Sequence, residues 1–315
     1  MGCRSLWRLL SKKHYKPVVR YPRNQPFTIG ANGNKYRFDI QGSIFPTIRY
    51  AYSNCSSMEA AHKTVLRRIE QMATSPSDTV LYLDGAPAQE KLFAHQQREL
   101  ARTKALKEAE IKVSSFEDHV RSGRRIRKQE FIDIKKKLNA SFRWNPQTRH
   151  DLAEFLRHAG WTVVECETEA DTKIASDYQP GDIVISGDSD MVVYNKIQIV
   201  WRPISGSRFL AYHIDEVTAA LNMNRAQLTT LGIVSFNDYN RNIFGLGCQT
   251  NYNIIKSLPA KEGTNAIDMV EAYLADPRVI LKNKSQINFD IPIRVFVHGQ
   301  QTPVTPTILS REVGS

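Results

Sequence analysis

The stretch GDSDMVVY, residues 187–194, sets Asp188 and Asp190 two positions apart behind a glycine, directly after the apolar run IVIS. The arrangement recurs. Asp39 ends YRFD, Asp84 ends TVLYLD, and Glu167 and Glu169 follow WTVVEC. A lone acid after a strand is most simply a helix cap, because a carboxylate accepts the first free N–H groups of a helix. Four strand-like segments that each deliver acid to the same end ask for more. Six carboxylates in one cleft repel each other and resist ionisation. Divalent cations remove that conflict. Oxygen donors select Mg²⁺ or Mn²⁺, and no His–Cys spacing points to zinc. A carboxylate cleft of this kind can hold two ions roughly 3.5–4 Å apart, one activating water and one stabilising a leaving oxygen.

The elements that must carry these acids are legible as an alternation. Residues 36–40, 79–85, 161–167, 182–188 and 197–203 are short apolar runs rich in β-branched and aromatic residues, and are expected to be strands. Several lack a polar face, as strands covered on both sides do. Residues 56–75, with Ser57 as cap, and 148–160, ending at Gly160, carry helical patterns. The expected fold is α/β, with a mostly parallel sheet whose carboxyl ends share one cleft. Residues 88–139 interrupt the alternation with long, charged helical sequence, 213–258 is again helical, and IRVFVH (293–298) reads as a further strand.

Bulk composition fits this picture. The chain has 315 residues, 41% of them hydrophobic, and a net charge of +11, which favours a polyanionic partner such as nucleic acid. No run reaches the ~18 apolar residues of a membrane span. Cys3, Cys55, Cys166 and Cys248 form neither a C-x-x-C pair nor a disulfide framework, so a reducing compartment is expected. The first acid of the chain is Asp39, so the leader is basic and acid-free, as transit peptides are. MGCRSL also opens like a myristoylation signal, but Leu6 stands where Ser or Thr belongs. A basic surface around an acidic metal cleft suits an enzyme that hydrolyses phosphodiesters.

Taken in order, the motifs resemble those of the structure-specific 5′ nucleases: flap endonuclease, exonuclease 1 and the xeroderma pigmentosum group G nuclease. The resemblance rests on MGCRSLWRLL, YRFDIQGSIF, VLYLDGAPAQEK, ETEADTKIA, VISGDSDMVVY and LTTLGIVSFNDYNRNIFGLG, and spans roughly residues 1–260. It departs at Ser5, where the family has glycine, and after Gly247, where CQTNYNIIK lacks an early basic residue. No sliding-clamp motif follows residue 260.

The resemblance implies a PIN-like (resolvase-like) fold and a division of the chain. Residues 1–87 and 140–212 would form the nuclease domain, 88–139 a helical gateway or arch, 213–275 a helix-two-turn-helix region, and 276–315 a C-terminal extension. It also implies metal-site acids at Asp39, Asp84, Glu167, Glu169, Asp188, Asp190 and Asp238. Glu165 and Glu167 form a competing Glu-x-Glu pair, but Ala170 favours Glu167 with Glu169. Lys91 and Arg98 would face the scissile phosphate with Asp188 as a catalytic acid residue, and Phe45 would stack on a base. Gly2, Arg121, Arg124, Arg125, Arg127, Lys128, Gly245 and Gly247 would contact DNA. Gly2 near the cleft argues for an uncleaved N-terminus.

The expectation is a monomeric, nuclear, Mg²⁺-dependent nuclease that cuts flapped or branched DNA with two ions, Mn²⁺ substituting, in repair or replication; a mitochondrial location stays open. Two alternatives remain. One is an inactive relative that binds RNA as a regulator. The other is a PIN-like ribonuclease, from which the region around Asp238 would distinguish this chain.

Overall fold

The computed structural model describes residues 5–13, 15–20, 34–73, 75–125, 127–260 and 263–303. Its centre is a seven-stranded sheet in the order β1-β7-β6-β5-β2-β3-β4. The strands are β1 (Val18–Arg20), β2 (Tyr36–Asp39), β3 (Thr79–Leu83), β4 (Thr162–Glu165), β5 (Ile183–Ile185), β6 (Ile199–Pro203) and β7 (Phe209–His213). β2 to β6 run parallel, whereas β7 returns antiparallel along β6 and β1 antiparallel along β7.

Helices cover both faces. In chain order they are α1 (Leu6–Lys12), α2 (Ile40–Asn54), α3 (Met58–Met72), α4 (Leu92–Arg121), α5 (Lys128–Ser141), α6 (Pro146–His158), α7 (Ala170–Asp177), α8 (Ile214–Leu221), α9 (Arg225–Val234), α10 (Cys248–Ser257), α11 (Ala266–Ala275), α12 (Pro277–Ile280) and α13 (Asp290–Phe296). Strand side chains alternate between two cores, as the pleat requires. Leu81, Leu83, Ile185 and Trp201 join α2, α3 and α6 in one. Tyr82, Val184, Val200 and Tyr212 join α1 and α7 to α11 in the other. This double cover is why the strand sequences read as continuous apolar runs.

The direction of the chain reverses at β2, which pairs with β3 on one side and β5 on the other. Such a switch opens a crevice at the carboxyl ends of the strands. Above it, α4 and α5 pack on each other as a hairpin, with Phe116 meeting Phe131 edge-on at 4.8 Å. Thirty residues of α4 carry its tip about 45 Å from its foot. No helix among the described residues is long and apolar enough to cross a membrane.

Three elements depart from the sequence expectations. IRVFVH is not a strand; its first part lies in α13. Pro292 is accommodated in the first turn, where its missing N–H costs nothing, and neighbouring Val295 and Phe296 are both buried, as a helix permits. β7 lies just ahead of the stretch expected to be helical, and β1 in the N-terminal segment; neither segment was given a strand.

Candidate active site

Asp39 closes β2 and caps α2. Its Oδ1 accepts from the Gly42 N–H at 2.7 Å, and its Oδ2 accepts from the Ser186 hydroxyl at 2.7 Å. Asp84 follows β3 and accepts from the Ala170 N–H at 2.8 Å, so it caps α7 from a neighbouring strand. Asp188 follows β5 and accepts from the Asp190 N–H at 3.0 Å, capping the 3₁₀ turn Ser189–Val192. Asp190 is 1% exposed. The close approach of these loops needs glycine. The Gly187 N–H donates to the Gly42 carbonyl at 3.2 Å, and a Cβ at Gly187 would lie 2.6 Å from that oxygen.

The fourth acidic contribution lies at the start of α7. Glu169 occupies the N-cap position but makes no cap bond. Its Oε2 accepts from Lys91 Nζ at 3.1 Å, and its Oε1 lies 3.6 Å from His95 Nε2. Asp171 joins it. Its Oδ2 accepts from Lys91 Nζ at 3.2 Å and from the Tyr239 hydroxyl at 3.2 Å. Glu167 does not join: it is exposed, two residues ahead of the N-cap. The structure sets Glu169 beside Asp171 on Lys91 and leaves Glu167 outside that contact. Glu165, the other competitor, pairs with His150 and Arg157 at the surface. His150, Glu154 and Glu165 bring ligand atoms within 4.8 Å of one another, but Arg157 already bridges the two glutamates.

Lys91, only 4% exposed, is the cation at the heart of the cleft. Burial disfavours its charge, yet Asp171 and Glu169 hold it well above the ordinary lysine range. Burial also works against Glu169, but Lys91 and His95 overcome it and hold that carboxyl at about 2. One ammonium cannot serve every acid. Burial, then Asp188 and Asp171, push Asp39 up to about 7 despite its two hydrogen bonds. Burial, Glu169 and Asp39 push Asp84 well above the carboxylate range, and burial raises Asp188 as well. The Cys166 thiol, raised by burial and then by Asp84, Asp171 and Asp39, stays protonated. The available donors are therefore hard oxygens, and their unrelieved repulsion fits divalent cations of the Mg²⁺ and Mn²⁺ class.

Lys91, His95 and Arg98 lie at i, i+4 and i+7, so one face at the foot of α4 points at the acids. Arg98 forms an ion pair with Asp238, in the loop between α9 and α10. The same loop stacks Arg241 on Phe93, 4.1 Å from the ring centroid. Asn237 holds the loop in shape: its Oδ1 accepts from the N–H groups of Tyr239 and Asn240 at 2.8 and 3.1 Å. Sequence reasoning missed His95, Asp171 and Tyr239. The i+4 position between the two expected cations was the available signal for His95.

The remaining expected residues lie further out. Phe45 is half-buried at the kink of α2, before Pro46, and meets Phe142 edge-on at 6.1 Å. Arg121, Arg124, Arg125, Arg127 and Lys128 are exposed at the tip of the α4–α5 hairpin, far from the acids. Gly245 adopts φ +77°, and Gly247 opens α10 with no atom near the place of a Cβ. Lys282 donates to the Gly245 carbonyl at 3.2 Å, so a residue distant in sequence brings a cation to a turn that lacks a local one. Gly2 lies outside the described residues.

No family model matches the chain. In sequence it is similar to Flap endonuclease 1 of Methanococcus aeolicus, 23% identical over 265 residues, which are 76% of this chain and 77% of that one. In structure it is similar to the catalytic core of Rad2 in complex with DNA substrate, with TM-score 0.52 and 16% identity over 99% of this chain and 85% of that one. It is similar to human GEN1 in complex with Holliday junction DNA, with TM-score 0.57 and 15% identity over 96% and 68%. Flap endonuclease-1 of Methanococcus jannaschii matches with TM-score 0.51 and 15% identity over 92% and 84%. These structures share the fold: a mostly parallel sheet flanked by helices.

Proposed function

Sequence and fold together support a place for the chain in the structure-specific 5′ nuclease family, and on that premise we propose that it is a metal-dependent nuclease of flapped or branched DNA. The observation that carries this reading is the gathering of carboxylates from four adjacent strands at one end of the sheet, where Glu169 and Asp171 share Lys91. Asp39, Asp84, Glu169, Asp171 and Asp188 would hold the ions, with Asp190 beside them and Asp238 reaching the cleft through Arg98. When bound, two divalent cations would supply an acidified water and a counter-charge for the leaving oxygen.

The chain's own residues do the rest. Lys91 and Arg98 stand on the gateway face above the acids and offer positive charge to a phosphoryl oxygen as it gains charge. Phe45 offers a ring face to a base beside the scissile bond, a contact indifferent to sequence. Arg121, Arg124, Arg125, Arg127 and Lys128 track a single strand at the hairpin tip. Gly245, Gly247 and Lys282 receive the duplex backbone, where an open glycine lets a phosphate reach backbone N–H groups. Hydrolysis of the phosphodiester leaves a 3′-hydroxyl and a 5′-phosphate, products suited to repair or replication.

The test uses end-labelled single strand, duplex, 5′ flap and four-way junction, each with Mg²⁺ and with chelator. Cleavage of a flap or junction in Mg²⁺, lost with chelator and with Asp188→Asn, is the expected result. Failure to cut any DNA in Mg²⁺ would sink the proposal. Cleavage of RNA alone would return it to the ribonuclease alternative.

A further inference from the structure

The foot of the gateway is tied down by chain far away in sequence. The Gln89 N–H donates to the Thr302 carbonyl at 2.8 Å. The Thr302 N–H and hydroxyl donate to the two oxygens of Glu90 at 3.0 and 3.1 Å. Gln89 Nε2 donates to the Pro303 carbonyl at 3.3 Å, and Ala88 forms an antiparallel bridge with Pro303. The short turn that carries Lys91 is thus bracketed by residues 301–303.

From this strap Gln301 reaches inward. Its Nε2 donates to the Tyr239 hydroxyl oxygen at 2.9 Å, and that hydroxyl donates to Asp171 Oδ2 at 3.2 Å. A tyrosine hydroxyl has one proton. Because the Gln301 amide fills the acceptor side of this oxygen, the proton is directed to Asp171. The ring itself is held by Phe296, edge-on at 5.4 Å, and by the Lys91 ammonium 4.8 Å from its centroid.

We propose that Gln301 is a positioning residue for the acid cluster: through Tyr239 it orients Asp171, while the neighbouring strap fixes the turn that carries Lys91. Its effect on cleavage rests on the nuclease reading, but its effect on the cleft does not. Partners one shell behind a metal ligand typically change metal affinity or activity about 10–100-fold.

Two quantities separate the ideas: Mn²⁺ affinity of the DNA-free protein, from electron paramagnetic resonance, and single-turnover cleavage of a 5′ flap. Gln301→Glu places an acceptor where the donor stands, so it takes the Tyr239 proton away from Asp171. We expect Mn²⁺ affinity to fall about tenfold and kcat to fall with it, while KM for the flap stays within about twofold. Tyr239→Phe should lose as much, and adding Gln301→Ala to it should cost nothing further, because both act through one chain of bonds. Wild-type Mn²⁺ affinity in Gln301→Glu, or additive losses in the double variant, would overturn the inference. If the wild-type protein cuts no DNA the nuclease reading fails, and the Mn²⁺ affinities still decide the role of Gln301.

Discussion

Without metal, this protein should lose stability as pH rises from 5 to 7. Asp39 has a pKa near 7 in the folded chain, against 3.8 for an unperturbed aspartate. Between those values the folded state keeps a proton that the unfolded state has released. A carboxyl raised in this way favours folding at low pH, and the benefit disappears as pH approaches the folded value. One extra bound proton is worth about 1.4 kcal/mol per pH unit, and the slope flattens near the folded pKa, so Asp39 alone removes roughly 2 kcal/mol between pH 5 and 7. For a chain of this size that is roughly 3 °C in Tm. Asp84, raised for the same cause, adds to the fall. Glu169, held at about 2, contributes stability that is lost only below pH 4.5, outside the window. His62, lowered by burial, pulls the other way, because the unfolded chain binds its proton more readily. Comparison with Asp39→Asn removes that background. The assay is thermal unfolding in chelator across pH 5 to 8, wild type beside variant. A difference between the two that is flat or rises with pH refutes the argument. Saturating Mg²⁺ should erase the fall, since a cation that prefers ionised ligands binds more tightly as pH rises.

Two charge deletions decide between Glu169 with Asp171 and the Glu-x-Glu pair. Asp171→Asn should slow flap cleavage by about 10²–10³-fold, whereas Glu167→Gln should stay within about threefold; the reverse order would restore the Glu-x-Glu pair. Neutralising Arg121, Arg124, Arg125, Arg127 and Lys128 together should weaken single-strand binding and flatten its salt dependence by about 0.7 log units for each phosphate no longer neutralised, with little change in single-turnover rate at saturation. An unchanged salt slope, measured by fluorescence anisotropy, would leave the hairpin tip without a role in binding. Arg98→Ala strands the Asp238 carboxylate without its ion-pair partner, so both cleavage rate and Tm should fall; a normal rate would remove Arg98 from the cleft's chemistry.

The central strands were legible because burial on both faces removes the polar alternation that would make a short segment ambiguous. Trp201 and Val200 face different cores, yet both had to be apolar. β7 was legible in principle. Gly206, at φ +71°, lies between two apolar runs, which is a hairpin signal, but FLAY was too short to outweigh the helical pattern that follows. β1 offered nothing: Val18 and Val19 are exposed, and only pairing with β7 makes the segment a strand. IRVFVH misled because its β-branched residues outvoted Pro292, whose place in a first turn was the better evidence.

The acids were legible by address, but the contact of Asp171 with Lys91 was not, and the reason lies in the caps. The bland reading of a strand-end aspartate, a helix cap, holds at Asp39, Asp84 and Asp188, each of which accepts a backbone N–H at the opening of a helical segment. Capping does not compete with metal binding. It fixes the rotamer and sets part of the negative charge against the positive end of a helix, while each carboxylate oxygen keeps a second lone pair. Glu169 breaks the rule: it sits at an N-cap and caps nothing, while Asp84 of the neighbouring strand accepts the Ala170 N–H and Asp171 itself accepts the Thr172 N–H. Glu169 turns instead toward Lys91, and Asp171, the second residue of α7, meets the same cation. A pattern of two glutamates could not express this, since the substitution of one strand's cap for another is a tertiary fact. It also dictates the form of any test. An asparagine at 39, 84 or 188 can still accept the cap bond through its carbonyl oxygen, so the helices keep their anchors and only the charge is lost. An alanine removes both, and its effect on cleavage could not be told from a helix that has come loose.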